Sequence, residues 1–352
     1  MRIGILANSW TGGGAERQAA QWAAVISQWP DAELSLLSVH DYDKRFALPA
    51  GVPVTTIGKR NARDFVRVAR GVRRFLRTVD IAIAFQSYPA IFCIGGRNPV
   101  PLLLVTGDDP RYHWKESGMP NRLIYAAFRS AAAASAPAPE LVDCYVDLGV
   151  QPRGPWLCIP NIADDAAFVE SPTAKSGVLF VGRLEDQKDP LLAIETCLAA
   201  DAELTVLGDG SLRGAVHQAA AADSRIRPHD FTSHPWELYA KHRALLLTSA
   251  YEPFGNVIVE SLAAGTPVVS VDCDYGPRHV LADARFSTVV PSRDPAVLAG
   301  ALREVLDREY TTEEAAECSR YAERYRVSAI DPMIRDAVEQ TLAVPRRRRF
   351  GR

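Results

Sequence analysis

The sequence lacks the features that mark several common classes of protein. Its six cysteines stand singly, with no Cys-x-x-Cys pair and no group of Cys and His at zinc spacing, which argues against a disulfide framework and a zinc site. No uninterrupted apolar run reaches the roughly 18 residues that a membrane-spanning helix needs. The opening residues, MRIGILANSW, have too short an apolar run for a secretory signal and are typical of a buried strand. These absences predict a cytoplasmic protein with reduced thiols.

An excess of one charge sign is also missing. The chain has 40 Lys and Arg against 42 Asp and Glu, a formal net charge of −2, so no overall charge attracts it to nucleic acid, and we predict no nucleic-acid partner. Its 352 residues exceed the size at which a single core usually stops growing, which favours two domains.

Apolar, strand-like runs alternate with helical segments in two successive series. The first series is RIGILA (2–7), LSLLSV (34–39), DIAIAF (80–85) and PLLLVT (101–106), and the second is SGVLFVGRL (176–184), AELTVLGDG (202–210), HRALLLTS (242–249) and TPVVSVD (266–272). Such alternation predicts βαβ units and an α/β fold of two Rossmann-like, doubly wound domains. We place these domains at 1–165 and 166–327, with a ligand cleft where the strand C-termini of both halves face each other. The Pro- and Gly-rich segment 149–177 indicates a linker, hinged near 160–175, and a helix at about 328–345 is expected to pack back on the first domain.

Three glycines in TGGGAERQA (11–19) follow the first predicted strand and precede a helix. Glycines let a backbone pass close to another group, and the amides at a helix start can bind an anion. The fingerprint G-x-G-x-x-G would need a glycine at Arg17, so a dinucleotide motif is not present. A purely conformational role for the glycines fits the sequence equally well.

Two cations follow the first strand of the second series. Arg183 and Lys188 lie in FVGRLEDQKDP (180–190), just before a helix that is expected to begin near Asp189-Pro190. Paired cations at the end of a strand can stabilise a diphosphate leaving group without a metal. Taken alone, the two residues are also compatible with a solvated basic loop.

Two glutamates flank a turn in SAYEPFGNVIVESLAAGTPVVS (249–270). Asn256 is expected to cap a helix and Gly265 to end it. Glu260 would then lie near the helix start, where the helix dipole alone could account for an acid. Glu252 lies on the preceding loop, where ligand hydroxyls explain a carboxylate better.

Together these motifs resemble the retaining glycosyltransferase family 4, enzymes of the two-Rossmann-domain GT-B type. The matching elements run in the family's order across roughly residues 4–280, and VDCDYGP is similar to the bacterial branch that builds surface and lipid-linked glycans. They are Gly-Gly-Gly-x-Glu-Arg, CIPNIAD, VGRLEDQKDP, VLGDGSLR and the Glu252 to Glu260 motif followed by AAGTPVVSVDCDYGP.

The resemblance implies a function and a role for each matched residue. It implies metal-independent transfer of a hexose or N-acetylhexosamine, with retention of configuration, from a nucleotide sugar such as a UDP-sugar to a glycan or polyprenyl-linked acceptor. The roles are as follows: Arg183 and Lys188 bind the diphosphate; Glu252 binds the donor sugar; Glu260 binds the ribose; the amides of Phe254, Gly255 and Asn256 lie against sugar and phosphate; Gly13 and Gly14 approach the phosphates; and the base sits near 225–231.

Two positions depart from the family's pattern. Many relatives carry a histidine near the reacting sugar, and here the corresponding segment VTGDDPRYHW (105–114) offers His113, Asp108 or Asp109, or none of them, for that catalytic role. A glutamate often follows Gly-Pro-Arg in relatives, whereas this chain has His279. Either change could alter donor choice or reduce activity.

The segment 59–80 holds eight basic residues interleaved with apolar ones near helical spacing. Such a helix could lie on an anionic membrane surface, which suits a peripheral enzyme with a lipid-linked acceptor. An ordinary domain helix with its polar face in water is the alternative. The arginine-rich end, 344–352, is expected to be a frayed tail.

Two other functions fit the same fold. A nucleotide-sugar 2-epimerase would release free epimerised sugar without an acceptor. A non-catalytic sugar-nucleotide-binding partner of another transferase would tolerate loss of Glu252.

Overall fold

The computed structural model describes residues 1–42, 46–59, 61–94, 100–112, 121–172, 174–230, 232 and 235–345. The chain divides into two compact units. The first comprises Met1–Ile162 together with Ile330–Arg352, and the second is Ala163–Ala329.

The first unit is built on a seven-stranded sheet in which every observed strand pairing is parallel. Its strands are β1 (Arg2–Ala7), β2 (Glu33–Ser38), β3 (Val54–Thr56), β4 (Ile81–Phe85), β5 (Leu102–Val105), β6 (Ala133–Ala136) and β7 (Trp156–Cys158), in the spatial order β3-β2-β1-β4-β5-β6-β7. The central strand β1 is buried from Ile3 to Ala7 and pairs Ile3 with Leu34 on one side and with Ile81 on the other. Continuous apolar runs suit these strands because helices cover both faces of a parallel sheet.

Helices connect the strands of this sheet. They are α1 (Gly14–Ile26), α2 (Phe65–Leu76), α3 (Ser87–Ile91), α4 (Asn121–Ser130) and α5 (Pro139–Asp147), and the final helix α13 (Val327–Ala343) enters this unit from Ile330 onward. Trp29 Nε1 donates to Asp331 Oδ1 at 2.7 Å, which ties this last helix to the residues that follow α1.

The second unit has a six-stranded parallel sheet. Its strands are β8 (Val178–Val181), β9 (Leu204–Leu207), β10 (Ile226–His229), β11 (Ala244–Leu247), β13 (Val268–Val271) and β15 (Thr288–Val290), in the order β10-β9-β8-β11-β13-β15. A separate two-stranded ribbon joins β12 (Tyr251–Glu252) to β14 (Asp274–Tyr275). The helices are α6 (Pro190–Ala199), α7 (Arg213–Ala222), α8 (Trp236–Lys241), α9 (Asn256–Ala263), α10 (Gly276–Val280), α11 (Pro295–Asp307) and α12 (Thr312–Ala322).

Two apolar clusters form the core of this second unit. One contains Leu179, Leu245 and Ile258 and packs α9 against the sheet, and the other contains Phe180, Leu246 and Leu298 and packs α6 and α11. Adjacent residues of one strand therefore belong to different clusters, as expected when successive side chains point to opposite faces.

The structure confirms the predicted α/β, doubly wound fold class, and each strand-like run of the sequence overlaps an observed strand. Within the described part of the chain, no helix has both the length and the apolar character needed to cross a membrane.

Candidate active site

The loops that carry the predicted donor-site residues leave neighbouring strands of the second sheet at the same edge. Residues 182–189 follow β8, and residues 248–250 follow β11, which lies directly beside β8. Parallel strands end at one edge of a sheet, so loops far apart in sequence meet there. Hydrogen bonds join the two loops: Ala250 N donates to Gln187 O at 2.8 Å, and the hydroxyl Oγ1 of Thr248 donates to Asp189 O at 2.8 Å.

Lys188 and Glu252 form an ion pair at this edge. Lys188 Nζ donates to Glu252 Oε2, and the two side chains are only 15% and 10% exposed. Ser249 Oγ donates to the same carboxylate oxygen at 3.3 Å. Partial burial strengthens a charged interaction, so this pair presents a fixed cation and a fixed anion to any ligand that reaches it.

Arg183 is joined to the same loops through Gln187. Arg183 Nη2 donates to Gln187 Oε1 at 2.7 Å, and Gln187 Nε2 donates to Tyr251 O at 3.2 Å. The arginine side chain itself is exposed. Both predicted cations are thus held by the loops that follow β8 and β11. Arg183 is held through Gln187, and Lys188 is held by Glu252.

The turn before α9 depends on glycine. Gly255 has φ +93°, and a Cβ there would come 2.6 Å from Ile258 Cδ1. The structure contradicts the expectation that Asn256 caps this helix: Gly255 is the capping residue, no side chain caps the helix, and Asn256 is its first residue. The reason is the left-handed backbone, which glycine adopts without strain. Gly265, with φ +70°, follows the helix as predicted.

The backbone of Gly276 also approaches this turn closely, at Phe254. A Cβ on Gly276 would lie 2.2 Å from Phe254 O, so only glycine allows the start of α10 to contact this turn. Phe254 is buried and packs edge-on against Tyr325 with ring centroids 5.6 Å apart. His279, which departs from the family's pattern, lies in α10 close to this contact.

Glu260 is the fifth residue of α9 and is buried. Tyr239 Oη donates to Glu260 Oε2 at 2.9 Å. The carboxylate therefore lies beyond the first turn, where the helix dipole stabilises a negative charge most. It accepts a hydrogen bond from a residue of α8 instead. Glu252 and Glu260 flank the turn at Gly255, but Glu252 accepts from Lys188 and Ser249, whereas Glu260 accepts from Tyr239.

Cys273 is buried and lies near enough to the ion pair to interact with the charges of Lys188 and Glu252. Burial raises the pKa of its thiol to about 12, and the charge of Glu252 adds to this effect. The thiol stays protonated at neutral pH and so is not a nucleophile.

A cavity of about 140 Å³ lies between the end of β9 and α7. Its lining residues are Leu184, Val206, Gly208, Arg213, Val216, His217, Pro228, His229 and Asp230. Three of them belong to the segment 225–231, where the sequence places the nucleotide base.

In the first unit, Gly13 precedes α1 and Gly14 is its first residue. Sequence reasoning gave no role to Glu16, which lies two residues further on. Glu16 is buried, its carboxylate accepts hydrogen bonds from the amides of Gly13 and Glu16, and burial raises its pKa, with a contribution from the charge of Asp108. The only sequence signal for it was its place in the Gly-Gly-Gly-x-Glu-Arg motif.

The candidates for the family's histidine differ in their surroundings. Gln86 Nε2 donates to Asp108 Oδ1 at 3.3 Å, and Asp109 is fully buried and accepts from Arg111 N at 2.8 Å. His113 lies outside the described residues. Among the residues that the structure describes, no three His, Cys, Asp or Glu side chains gather as metal ligands do, and metal independence stays a prediction.

Comparison with known proteins identifies the second unit. Residues 162–325 match the family described as glycosyl transferases group 1. This part of the chain is a glycosyl transferases group 1 domain. The resemblance predicted from the sequence is confirmed, and so is the presence of a glycosyltransferase domain.

Two curated relatives are named as enzymes of glycan synthesis. The lipopolysaccharide core biosynthesis glycosyltransferase LpsE of Rhizobium meliloti is 28% identical over 235 residues, which cover 62% of this chain and 64% of that protein. The N-acetylgalactosamine-N,N'-diacetylbacillosaminyl-diphospho-undecaprenol 4-alpha-N-acetylgalactosaminyltransferase of Campylobacter jejuni is 31% identical over 118 residues, 32% of each chain. The match spans less than two thirds of the length of either relative.

Solved structures extend the likeness to both units. The crystal structure of Anabaena HepE in complex with UDP has a TM-score of 0.76 and 20% identity, and the match covers 96% of this chain and 100% of that one. At this identity the likeness shows the fold alone, which is the predicted GT-B type with two Rossmann-like domains.

Proposed function

We propose that this chain is a retaining glycosyltransferase that moves a hexose or N-acetylhexosamine from a UDP-sugar to a hydroxyl of a glycan or lipid-linked acceptor. The observation that carries the proposal is the Lys188–Glu252 pair beside Arg183, at the carboxyl edge of the sheet in a group 1 domain. UDP in the HepE crystal and the lipid-linked substrate named for the Campylobacter relative support the choice of donor and acceptor.

Arg183 and Lys188 bind the donor diphosphate in this proposal. Lys188 is held by Glu252 and Arg183 by Gln187, so the two cations are largely positioned before the ligand arrives. Fixed charges stabilise the negative charge that grows on a leaving group, and they need no reorganisation when it forms.

Glu252 accepts hydrogen bonds from the donor-sugar hydroxyls, and the amides of Phe254, Gly255 and Asn256 lie against sugar and phosphate. Glu260 accepts from the ribose hydroxyls. The base occupies the 140 Å³ cavity that includes Pro228 and His229. The donor domain is the second unit, and the first unit is the acceptor domain.

Transfer proceeds with retention. The bond between the anomeric carbon and the diphosphate oxygen breaks, and its electron pair stays on that oxygen. The acceptor oxygen bonds to the anomeric carbon on the same face, and its proton passes to the departing oxygen. His113, Asp108 or Asp109, or none of them, takes the catalytic role of the histidine that many relatives carry. Catalysis thus depends on positioning and charge stabilisation rather than on a covalent nucleophile.

A thermal-shift panel of UDP-, GDP- and ADP-sugars tests the donor. We expect the best UDP-sugar, at 100 times its dissociation constant, to stabilise the protein by about 2.7 kcal/mol. Arg183→Ala should remove most of that shift, whereas Arg285→Ala, at an exposed arginine that pairs with Glu317, should keep it. A larger shift with a GDP- or ADP-sugar would contradict the UDP assignment, and free epimerised sugar without acceptor would favour the epimerase.

We also propose that the helix α2 carries the protein to an anionic membrane surface. The sequence pattern suggested that the apolar residues of this helix could contact lipid. Val68 and Val72 are instead buried in the first unit and are not available to lipid. The exposed groups are Phe65 (46%), Val66 (57%) and the side chains of Arg63, Arg67, Arg70, Arg73, Arg74 and Arg77. Attraction is therefore mainly electrostatic.

Co-sedimentation with vesicles measures this attraction. We expect binding to phosphatidylglycerol vesicles that falls in high salt, and little binding to phosphatidylcholine. The triple variant Arg70→Glu, Arg73→Glu, Arg74→Glu should abolish it. Equal binding to both vesicle types would contradict an electrostatic surface.

A further inference from the structure

Arg293 connects the two loops that carry the ion pair. It lies in the loop between α11 and β15, which is the strand at one end of the sheet. Its Nη2 donates to Asp189 Oδ2 at 2.6 Å, and its Nη1 donates to Ser249 O at 3.0 Å. One guanidinium therefore contacts a loop 104 positions away and another 44 positions away.

Both contacts fall directly beside the proposed donor-site residues. Asp189 follows Lys188 in the chain, has φ +49° and caps α6 by accepting from Leu192 N at 3.1 Å. Ser249 donates to Glu252 through its hydroxyl while its carbonyl accepts from Arg293. A shift of either contact would change the distance between Lys188 and Glu252.

We propose that Arg293 is a positioning residue of the donor site, which sets the spacing of the Lys188 loop and the Glu252 loop. This inference rests on the proposed function, since it assumes that Lys188 binds the donor diphosphate and that Glu252 holds Lys188 in place. The planar guanidinium can hold two acceptors in one fixed geometry, which a lysine ammonium on a flexible stem cannot reproduce. Arg293 and Asp189 are partly exposed, and an exposed pair of this kind adds little to stability. Its effect should therefore appear in ligand binding.

The test compares a nucleoside diphosphate with its nucleoside. The probes are UDP, GDP and ADP with the matching nucleosides, and dissociation constants are measured by calorimetry or by NMR titration. In Arg293→Gln we expect the affinity for the best-bound diphosphate to fall about tenfold or more, because small misplacements of binding groups are costly. The nucleoside alone, which reaches the base cavity and Glu260 but not Lys188, should bind as it does to the wild type.

Variants of the partner separate positioning from charge. Asparagine at position 189 keeps the helix cap and tolerates the left-handed backbone, but it loses the charge that Arg293 contacts. Asp189→Asn should weaken the diphosphate to a similar degree, and the double variant with Arg293→Gln should be no weaker than either single variant. Arg293→Lys should not restore binding. Arg303→Gln is the matched control, at an exposed arginine of α11 that donates to Ala199 O at 3.0 Å.

Results other than those expected overturn either the positioning role of Arg293 or the proposed function. Restoration by lysine would show that charge alone matters, and an equal loss for diphosphate and nucleoside would show a general structural defect; both overturn the positioning role. Unchanged diphosphate affinity in Arg293→Gln, with a wild type that binds, overturns this inference alone. A wild type that binds none of the diphosphates overturns the proposed function together with it.

Discussion

Replacing Glu252 by glutamine should reduce the rate of sugar transfer by a factor of about 100 to 1000, the loss typical of removing one preorganised electrostatic contact. Glutamine has the same size, but it lacks the charge that accepts from Lys188 and Ser249. The variant loses the proposed acceptor for the donor-sugar hydroxyls and releases Lys188 from its fixed position. The measurement is kcat with the best donor from the thermal-shift panel and an acceptor glycan.

Glu237→Gln is the control for this variant. Glu237 is an exposed glutamate of α8 whose partner is the neighbouring Lys241, so its loss should leave the rate unchanged. Full glycan synthesis in cells that carry only Glu252→Gln would contradict the catalytic proposal and favour a non-catalytic binding partner. A folded Glu252→Gln protein is needed for either conclusion, and circular dichroism checks it.

Replacing Arg243 by methionine should lower the free energy of unfolding by about 3 kcal/mol, the lower end of the range for breaking a buried ion pair. The side chains of Arg243 and Glu314 are 4% and 2% exposed, and Arg243 Nη1 donates to Glu314 Oε1 at 2.5 Å. Without Arg243 the carboxylate still has Arg308 Nε, at 3.1 Å, as a charged partner. This remaining contact is the reason to expect the lower end.

Urea unfolding monitored by circular dichroism measures this loss. Arg227→Met removes an exposed pair with Glu203 and should change stability little. The double variant Arg243→Met, Glu314→Leu should regain much of the loss, because no buried charge is then left without its partner. A double variant less stable than Arg243→Met would show that the pair acts through something other than charge compensation.

Much of the fold followed from local patterns in the sequence. The run RIGILA coincides with β1, and Asp189-Pro190 marks the start of α6. Short strands such as β6, whose sequence is AASA, were missed because small residues carry little apolar signal. The helix cap at Asn256 was wrong because a side-chain preference does not reveal that the preceding glycine has a left-handed backbone.

The sequence predicted individual residues of the candidate site but not the contacts between them, because these contacts join residues far apart in the chain. Lys188 and Glu252 were each singled out, but their contact joins residues 64 positions apart. Arg293 belongs to no motif in the sequence. Its proposed role follows from the structure, in which its two Nη groups donate to two different loops. Glu16 was part of a motif, yet its burial and raised pKa depend on packing in the first unit.

The sequence by itself determined the alternation of strand and helix, and with it the parallel sheets and the loops that end at one edge. These features depend on residues close together in the chain, so their apolar periodicity and turn residues can be recognised from the sequence alone. Tertiary structure alone decided that Lys188 pairs with Glu252, that Arg243 is buried against Glu314 and that Arg293 bridges two loops. Such contacts depend on which strands become neighbours in the sheet, and that choice is made by the packing of the whole unit.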